Sequence, residues 1–184
     1  MKVESVSSET INNLLAAYIS ERNASARYIA FAVQADKEGF RGVGSLFRAV
    51  AHSEQVHATN HARVLRKYGA ELDLSVYPFE VKTTAENLRA AINGEEDERD
   101  QVYPAYLDQA QRELCTAAQE VFDLALDAEA VHAMMFMTAL DGLEDYRQRV
   151  TYYVCMDCGW VCTGVNFRHC VLCNSAKDRF ERVD

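Results

Sequence analysis

Residues 51–58, AHSEQVHA, and residues 127–134, DAEAVHAM, each contain the pattern Glu-x-x-His. The two pairs are Glu54 with His57 and Glu129 with His132. Side chains three residues apart lie on one face of an α-helix, so each pair could bind the same ion. A single pair is a weak signal in a helix-rich chain. Two pairs on separate predicted helices favour a metal site shared between helices.

A glutamate lies at a matching distance before each pair. Glu21 precedes Glu54 by 33 residues, and Glu95 precedes Glu129 by 34 residues. The chain is therefore a near repeat, in which a helix with a glutamate precedes a helix with a Glu-x-x-His pair. This is the ligand pattern of dinuclear carboxylate sites in ferritin-like bundles. Glu98, one helical turn after Glu95, is a fifth candidate carboxylate.

An exposed acidic helix face is the alternative interpretation of Glu95 and Glu98, because charged residues surround them at positions 96, 97, 99 and 100. If the five carboxylates lie inside a bundle, cations must accompany them, since burying unpaired charge is costly. Two divalent ions would bring the summed charge from −5 to −1, and two trivalent ions would bring it to +1. Oxygen-rich ligands with two imidazoles suit iron or manganese better than copper or structural zinc.

Four helical segments are predicted before residue 150. The first covers about 9–37, the second ends near 68, and the third and fourth cover about 84–109 and 111–148. Ser8 or Thr10 could cap the first, and Thr84, with Glu86 close behind, opens the third. Residues 70–82 contain Pro78 and are predicted to form a crossover connection. Long helices with one long central connection predict an all-α, ferritin-like four-helix bundle.

Composition excludes several classes of function. The 184 residues carry a formal net charge of −9 and no basic stretch, which argues against nucleic-acid binding. No apolar run approaches the roughly 18 residues that span a bilayer, so no membrane association is expected. The polar start of the chain lacks the apolar segment of a secretory signal. The sequence therefore predicts a soluble, cytoplasmic protein.

Five of the six cysteines lie between residues 155 and 173. Cys155 with Cys158, and Cys170 with Cys173, form two Cys-x-x-Cys pairs separated by eleven residues. Four thiolates in this spacing can surround one ion tetrahedrally, and zinc and a single iron both fit. We place a domain boundary near residue 150. Residues 1–149 form the bundle, and residues 150–184 form a module that is too small to fold without a metal.

The two remaining cysteines are weaker candidates for metal ligands. Cys162 could replace Cys158 as a ligand, although the symmetrical pairing favours a free thiol beside the site. Cys115 stands alone in the predicted fourth helix, and we interpret it as a small apolar side chain.

Four further polar and aromatic residues are candidates for supporting roles. His52 and His61 flank the first Glu-x-x-His pair, and we interpret both as surface or hydrogen-bonded polar residues, with an outer position beside the ligands as the alternative for His61. Tyr28 and Tyr103 either pack in the core or donate hydrogen bonds to ligating carboxylates.

Taken together, these segments resemble a rubrerythrin over essentially the full length. NNLLAAYISERNASARYIAFA (12–32) resembles the family's first helix, and AENLRAAINGEEDERDQVYP (85–104) resembles its third. The two Glu-x-x-His segments resemble its second and fourth helices, and the four-cysteine tail with NSAKDRFERV (174–183) resembles its rubredoxin domain. Val171 departs from the family, which commonly has proline there.

The resemblance implies a ligand set and an activity. The implied di-iron ligands are Glu21, Glu54, His57, Glu95, Glu98, Glu129 and His132, with Tyr28 and Tyr103 in supporting positions. Cys155, Cys158, Cys170 and Cys173 would hold a single iron. One iron of the pair would exchange Glu98 for His57 between oxidation states. The implied activity is reduction of hydrogen peroxide, with electrons that come from NAD(P)H through partner redox proteins.

Chain geometry favours a head-to-tail homodimer, which the resemblance also implies. The helix length between Glu129 and the predicted end of the fourth helix near Tyr146 is roughly 26 Å. The link from 147 to 154 spans about 26 Å when extended, so the tail barely reaches back to its own bundle.

Three rival functions stay open at this point. They are an oxygen-consuming ferroxidase, an iron-storage or iron-binding protein, and a protein whose tail is a zinc ribbon that serves as an interaction module.

Overall fold

The structure is a computed structural model that describes residues 8–184. Its first two helices are α1 (Ser8–Lys37) and α2 (Arg41–Lys67), which pack against each other along their length. The chain reverses between them at Gly39, whose φ of +84° is in the left-handed region. Thr10 lies inside α1 and not at its start, so the prediction that Thr10 caps this helix is wrong. The alternative cap, the Ser8 side chain, lies outside what the structure describes.

Residues 70–83 form the predicted crossover and contain no regular secondary structure. Helix α3 (Thr84–Asp97) follows, and its cap is Thr83, one residue before the predicted position. The Glu86 amide donates to Thr83 Oγ1 at 3.4 Å, and the Thr83 amide donates to Glu86 Oε2 at 3.2 Å. This reciprocal capping box satisfies two amides that the helix itself leaves unpaired.

The third helical run is interrupted by a wide turn that was not predicted from the sequence. A π-helical turn (Glu98–Val102) leads into α4 (Tyr103–Arg112), and the Tyr103 amide donates to the Glu98 carbonyl. Pro104, at the start of α4, has no amide proton and cannot close an α-helical turn there. The chain forms a π turn before Pro104 instead, and π turns of this kind are frequent at functional sites.

Helix α5 (Thr116–Asp141) is shorter than the predicted segment 111–148. It starts late because Leu114 adopts a φ of +55° in a tight turn, and it ends at Gly142, before a 3₁₀ turn (Leu143–Arg147). The four helical runs, with α3 and α4 counted as one, form the predicted bundle. Among residues 8–184, no helix is both long enough and apolar enough to cross a membrane.

Two apolar clusters fill the bundle and leave a gap between them. One contains Phe31, Phe47 and Phe136, and the other contains Leu65 and Phe122. On α1, α2 and α5, the buried carboxylates and the histidines of the Glu-x-x-His pairs fall between the stretches that supply these two clusters. The polar site therefore lies in the middle of the bundle, with an apolar layer at each end.

The C-terminal module is a small antiparallel sheet with the strand order β2-β1-β3. Its strands are β1 (Tyr152–Cys155), β2 (Val161–Cys162) and β3 (Phe180–Val183), with a 3₁₀ turn (Lys177–Arg179) before the last. Tyr152, Val154 and Val161 belong to the same apolar cluster as the N-terminal half of α2. The module therefore packs on the bundle of its own chain.

Candidate metal centres

Six of the seven predicted bundle ligands meet in the gap between the apolar clusters. All six are at least 99% buried: Glu21 on α1, Glu54 and His57 on α2, Glu95 on α3, and Glu129 and His132 on α5.

Their ligand atoms form two overlapping groups. One group is Glu21, Glu54, His57 and Glu129, and the other is Glu54, Glu95, Glu129 and His132, with all ligand atoms of a group within 4.8 Å of one another. Glu54 and Glu129 belong to both groups, so each can bridge two ions. The near repeat seen in the sequence is thus a near two-fold arrangement of ligands around two ion positions.

Several of these ligand atoms have no hydrogen-bond partner among the described residues. They include both carboxylate oxygens of Glu54, Glu21 Oε2, Glu129 Oε1 and His57 Nδ1. His57 Nδ1 lies 2.9 Å from a Glu54 oxygen and 3.0 Å from a Glu129 oxygen, yet neither approach has hydrogen-bond geometry. Buried polar atoms are nearly always paired, so atoms that converge in this way fit a bound cation. Carboxylates with imidazoles are the donors that iron and manganese accept.

Electrostatics at the site favours the same interpretation. Burial raises the pKa of Glu21 and of Glu95 well above the usual carboxyl range, and the neighbouring carboxylates Glu98 and Glu54, respectively, add to the shift. Burial also acts to raise the pKa of Glu129, but the charges of His57 and His132 outweigh it and lower that pKa. Without cations the cluster must retain protons, whereas two metal ions would stabilise the ionised carboxylates.

Glu98, the seventh predicted ligand, lies outside both groups. Its Oε1 accepts a hydrogen bond from the Ser20 hydroxyl at 2.6 Å. Burial, reinforced by the Glu129 charge, raises the pKa of Glu98 to about 8, although the Ser20 hydrogen bond opposes the shift. Glu98 also lines a cavity of about 280 Å³ together with Arg27, Tyr103 and other residues. The structure thus brings His57, and not Glu98, into the cluster.

Both predicted tyrosines donate hydrogen bonds to carboxylates of the cluster. Tyr28 donates to Glu95 Oε1, and Tyr103 donates to Glu21 Oε1. The two bonds are equivalent under the near repeat. Each uses one carboxylate oxygen and leaves the other for an ion, which fixes the orientation of the ligand.

The two flanking histidines differ. His52 is half-buried, 3.2 Å from Glu181 Oε2, as expected for a surface residue. His61 is completely buried, and its Nε2 lies 3.1 Å from the Tyr103 hydroxyl. Burial lowers the pKa of His61 to about 3, and the charge of His57 adds to the effect. Its position four residues after His57, on the ligand face of α2, was the available sequence signal for this outer position.

The four cysteines of the two pairs also converge. Their Sγ atoms lie within 4.8 Å of one another, with Cys155 3.6 Å from Cys173 and Cys158 3.6 Å from Cys170. A tetrahedral ion with metal–sulfur bonds of about 2.3 Å has sulfur–sulfur edges of about 3.8 Å, so the spacing fits a metal and not disulfides. All of these cysteines are free thiols.

Cys162 is not part of this group, and its thiol faces the Gly164 carbonyl at 3.3 Å. Of the two alternatives that the sequence left open, the structure has the free thiol. Cys115 is 97% buried in an apolar cluster, as predicted.

Three side chains of α2 contact three successive backbone carbonyls at the first cysteine pair, those of residues 157–159. Asn60 donates to the Asp157 carbonyl at 2.9 Å, and Ser53 donates to the Gly159 carbonyl at 2.6 Å. Between them, His57 Nε2 lies 3.1 Å from the Cys158 carbonyl. An Nε2–H that donates to this carbonyl leaves Nδ1 free to bind a metal. The imidazole of one candidate ligand therefore touches the backbone of another.

Sequence reasoning did not identify Ser53 or Asn60, because hydroxyl and amide side chains are common on helix surfaces. It also held that the tail barely reaches its own bundle. The chain does fold back, and residues 148–155 run along α2. At the start of this segment the backbones are so close that a Cβ atom on Gly42 would lie 2.7 Å from the Gln148 carbonyl oxygen. A second chain is therefore not needed to bring the four-cysteine module to the bundle.

Comparison with known proteins identifies the family. The family model described as rubrerythrin matches residues 12–140, which include all seven predicted bundle ligands. The chain belongs to the rubrerythrin family. Rubrerythrin-2 of Clostridium acetobutylicum is 34% identical over 94% of this chain and 95% of its own length. Nigerythrin of Nitratidesulfovibrio vulgaris is 33% identical over 93% of this chain and 85% of its own length.

Solved structures agree with this assignment. Nigerythrin in its fully reduced, all-ferrous state has a TM-score of 0.87 and 32% identity, and the match covers 99% of this chain and 91% of that chain. A bacterioferritin of Rhodobacter capsulatus, at 18% identity and a TM-score of 0.70, shows the fold alone. The predicted ferritin-like bundle with a rubredoxin-like tail is confirmed. This rubrerythrin-family chain has the carboxylate–histidine cluster of a di-iron site and a four-cysteine group for one more metal.

Proposed function

We propose that this protein is a non-haem di-iron peroxidase, which reduces hydrogen peroxide to water with electrons from a rubredoxin-type iron centre. The observation that carries the proposal is the contact between His57 Nε2 and the Cys158 carbonyl at 3.1 Å. A four-cysteine centre that touches a ligand of a buried carboxylate cluster is well placed to deliver electrons to it. Iron storage does not require a contact between a four-cysteine centre and a ligand of the carboxylate cluster.

The assignment of ligands is part of the proposal. Two irons would be held by Glu21, Glu54, His57, Glu95, Glu129 and His132, and Glu54 and Glu129 could serve both. Glu98 would replace His57 as a ligand when the oxidation state changes. A single iron would be held by Cys155, Cys158, Cys170 and Cys173.

When bound, the iron pair supplies two electrons to the O–O bond of H₂O₂, which takes up two protons and leaves as two molecules of water. The chain provides the access route. The cavity of about 280 Å³ opens beside the exposed residues Ala16 and Asp97 and ends at Tyr103 and Glu98. It has room for several molecules of the size of water, and so for peroxide and for protons from solvent.

The residues around the cluster exclude other reactions. The apolar layers on both sides, which contain Phe47 and Phe122, keep bulk water away from the ligands. Tyr28 and Tyr103 hold two carboxylates in place while the charge at the site changes. Electrons return one at a time through Cys158 and His57.

The external reductant in this scheme is a redox protein that is itself reduced by NAD(P)H. It would dock near the four-cysteine module, where Cys173 is the least buried of the four ligands. We infer a cytoplasmic location, since six free thiols persist best in a reducing compartment. A head-to-tail homodimer stays a proposal, and it is not required for electron transfer within one chain.

Stopped-flow mixing of fully reduced, iron-loaded protein with stoichiometric H₂O₂ under anaerobic conditions tests the function. The expected result is oxidation of the bundle iron by one equivalent of peroxide, followed by slower oxidation of the four-cysteine iron. The peroxidase proposal is overturned if stoichiometric peroxide does not oxidise the protein. Faster oxidation by O₂ than by peroxide would instead show a ferroxidase. A colourless tail that retains zinc would show a zinc ribbon.

A further inference from the structure

Helix α2 carries a third inward-facing histidine to which the proposed function gives no role. His61 is completely buried, with its ring 6.0 Å from the ring of Tyr103 and 5.5 Å from that of Phe122. Its Nε2 lies 3.1 Å from the Tyr103 hydroxyl oxygen and 4.0 Å from Glu21 Oε1. His61 is therefore next to the cluster without belonging to either group of ligands.

Counting protons at Tyr103 fixes the direction of this contact. The tyrosine hydroxyl has one proton, which it donates to Glu21 Oε1. The hydroxyl oxygen can then only accept from His61, so Nε2 of the imidazole must carry the proton. Nδ1 has no partner among the described residues, which is consistent with the unprotonated nitrogen being there.

The near repeat of the bundle provides an internal comparison. In the other half, Tyr28 donates to Glu95, and the residue four positions after His132 is Phe136. The rings of Tyr28 and Phe136 are 5.4 Å apart, so phenylalanine occupies the position that His61 has in the first half. A phenyl ring is thus sufficient to pack against the tyrosine. Packing alone does not require an imidazole at position 61.

The two halves differ in a second way. Tyr103 forms part of the wall of the cavity that also contains Glu98, and Tyr28 does not line that cavity. The half with the histidine is therefore the half that faces the cavity. Both tyrosines are 1% exposed, but a hydroxyl on a cavity wall can turn toward the cavity unless a second group holds it.

We propose that His61 is a positioning residue, which donates Nε2–H to Tyr103 and thereby commits the single hydroxyl proton of Tyr103 to Glu21 Oε1. Glu21 Oε2 is then the oxygen that faces the ion. The effect on metal binding follows from the ligand geometry, and only the effect on peroxide reduction rests on the proposed function.

Two variants separate hydrogen bonding from packing. His61→Phe reproduces the arrangement at Phe136 and removes the donor. His61→Gln keeps an N–H donor close to the position of Nε2. Titration of both variants and the natural protein with Co²⁺ measures binding to the bundle. The thiolate charge-transfer band of Co²⁺ in the four-cysteine site is an internal control for folding.

We expect His61→Phe to weaken Co²⁺ binding in the bundle on the order of 10-fold, as for other residues that support ligands. The Co²⁺ affinity of His61→Gln should stay within about 3-fold of that of the natural protein. Equal binding by all three proteins overturns the proposal, and so does a His61→Gln variant as weak as His61→Phe.

Nitrogen NMR of the zinc-loaded protein tests the tautomer directly. The proposal predicts an Nε2–H imidazole at His61, and an Nδ1–H imidazole would contradict it. Neither measurement depends on peroxide. If the natural protein fails to reduce peroxide, the proposed function is lost, and the role of His61 is still decided by these two results.

Discussion

At the scale of single residues, the carboxylates of the cluster are not equivalent. Glu54 and Glu129 lie within reach of both ion positions, Glu21 and Glu95 each serve one, and Glu98 serves neither in this structure. Removing a shared carboxylate takes one negative charge from both positions. Removing Glu98 leaves every ligand of the two groups in place.

This difference predicts that the same Glu→Gln substitution has different effects at positions 54 and 98. Glu54→Gln should lose both bundle irons, because an amide bridges two cations poorly. Glu98→Gln should keep two irons in the bundle. Iron and protein analysis of the purified variants measures both. Loss of bundle iron from Glu98→Gln, or two irons in Glu54→Gln, would contradict the ligand groups.

Gly159 directly follows Cys158, whose carbonyl contacts His57 of the cluster. A Cβ atom there would lie 2.3 Å from His57 Nε2 and 2.6 Å from Ser53 Oγ, and the φ of +83° disfavours other residues. Glycine therefore allows the Cys158 carbonyl to reach His57.

We predict that Gly159→Ala displaces the module from α2 and slows electron transfer to the bundle iron on the order of 10- to 100-fold, because small displacements of reacting groups are costly. Oxidation of the reduced bundle iron by peroxide should change little. Stopped-flow spectroscopy resolves the two steps. Gly164→Ala is the matched control, since its Cβ would meet no atom within 4 Å. Unchanged electron transfer in Gly159→Ala would show that this contact is not the route.

Most of the site was predictable from residue types and spacing. The Glu-x-x-His pairs and the Cys-x-x-Cys pairs each place their ligands within one local turn, so the sequence alone indicates which atoms can meet. His61, Ser53 and Asn60 act through contacts with residues 42 to 106 positions away in the chain. Such contacts depend on how elements pack, which spacing does not reveal.

At the scale of elements, the boundaries depend on a few local groups. The Thr83–Glu86 capping box sets the start of α3, and so the position of Glu95 along the bundle. Pro104 produces the π turn that shifts the register between Glu98 and Tyr103. The predicted third helix, about 84–109, was continuous although Pro104 inside it is a signal for a break. Proline marks such a break, but no neighbouring residue specifies a π turn. The break between the third and fourth helical segments was predicted near residue 110 and lies at Leu114, because neither glycine nor proline marks its position in the sequence.

The capping box gives a prediction about stability. Thr83→Ala removes the Oγ1 acceptor of the Glu86 amide and should lower the free energy of unfolding by about 1 kcal/mol. Thr138→Ala is the control, because Thr138 is exposed inside α5 and caps no helix end, and it should stay within about 0.5 kcal/mol of the natural protein. Chemical denaturation followed by circular dichroism measures both. Equal stabilities would mean that the box does not set the start of α3.

At the scale of the whole molecule, a bundle with its own core carries a module that has little core of its own. The module is held together by its four-cysteine group and by Trp160, Phe167 and Phe180, whose ring centroids are 5.1 to 5.9 Å apart. A unit of this size needs a metal to stay folded. Apart from Tyr152, Val154 and Val161, the buried residues of the two apolar clusters come from the bundle itself.

We predict that removing the metal of the four-cysteine site unfolds the module and leaves the bundle folded. Trp160 is the one tryptophan of the sequence, so its fluorescence reports on the module. Cys173→Ser in the zinc-loaded protein should shift the emission of Trp160 to longer wavelength, with the helical circular dichroism nearly unchanged. Cys162→Ser is the matched control, since Cys162 is outside the group. An unshifted emission in Cys173→Ser would show that the module folds without its metal.

The central claim is that side chains from four helical runs hold two ions as a pair inside the bundle, beside a third ion in the tail. Low-temperature Mössbauer spectroscopy of oxidised, ⁵⁷Fe-loaded protein tests it most directly. We expect three irons per chain, two in a magnetically coupled pair with oxygen and nitrogen ligands and one with four sulfur ligands. A spectrum with sulfur-bound iron only, or with uncoupled bundle iron, would contradict it.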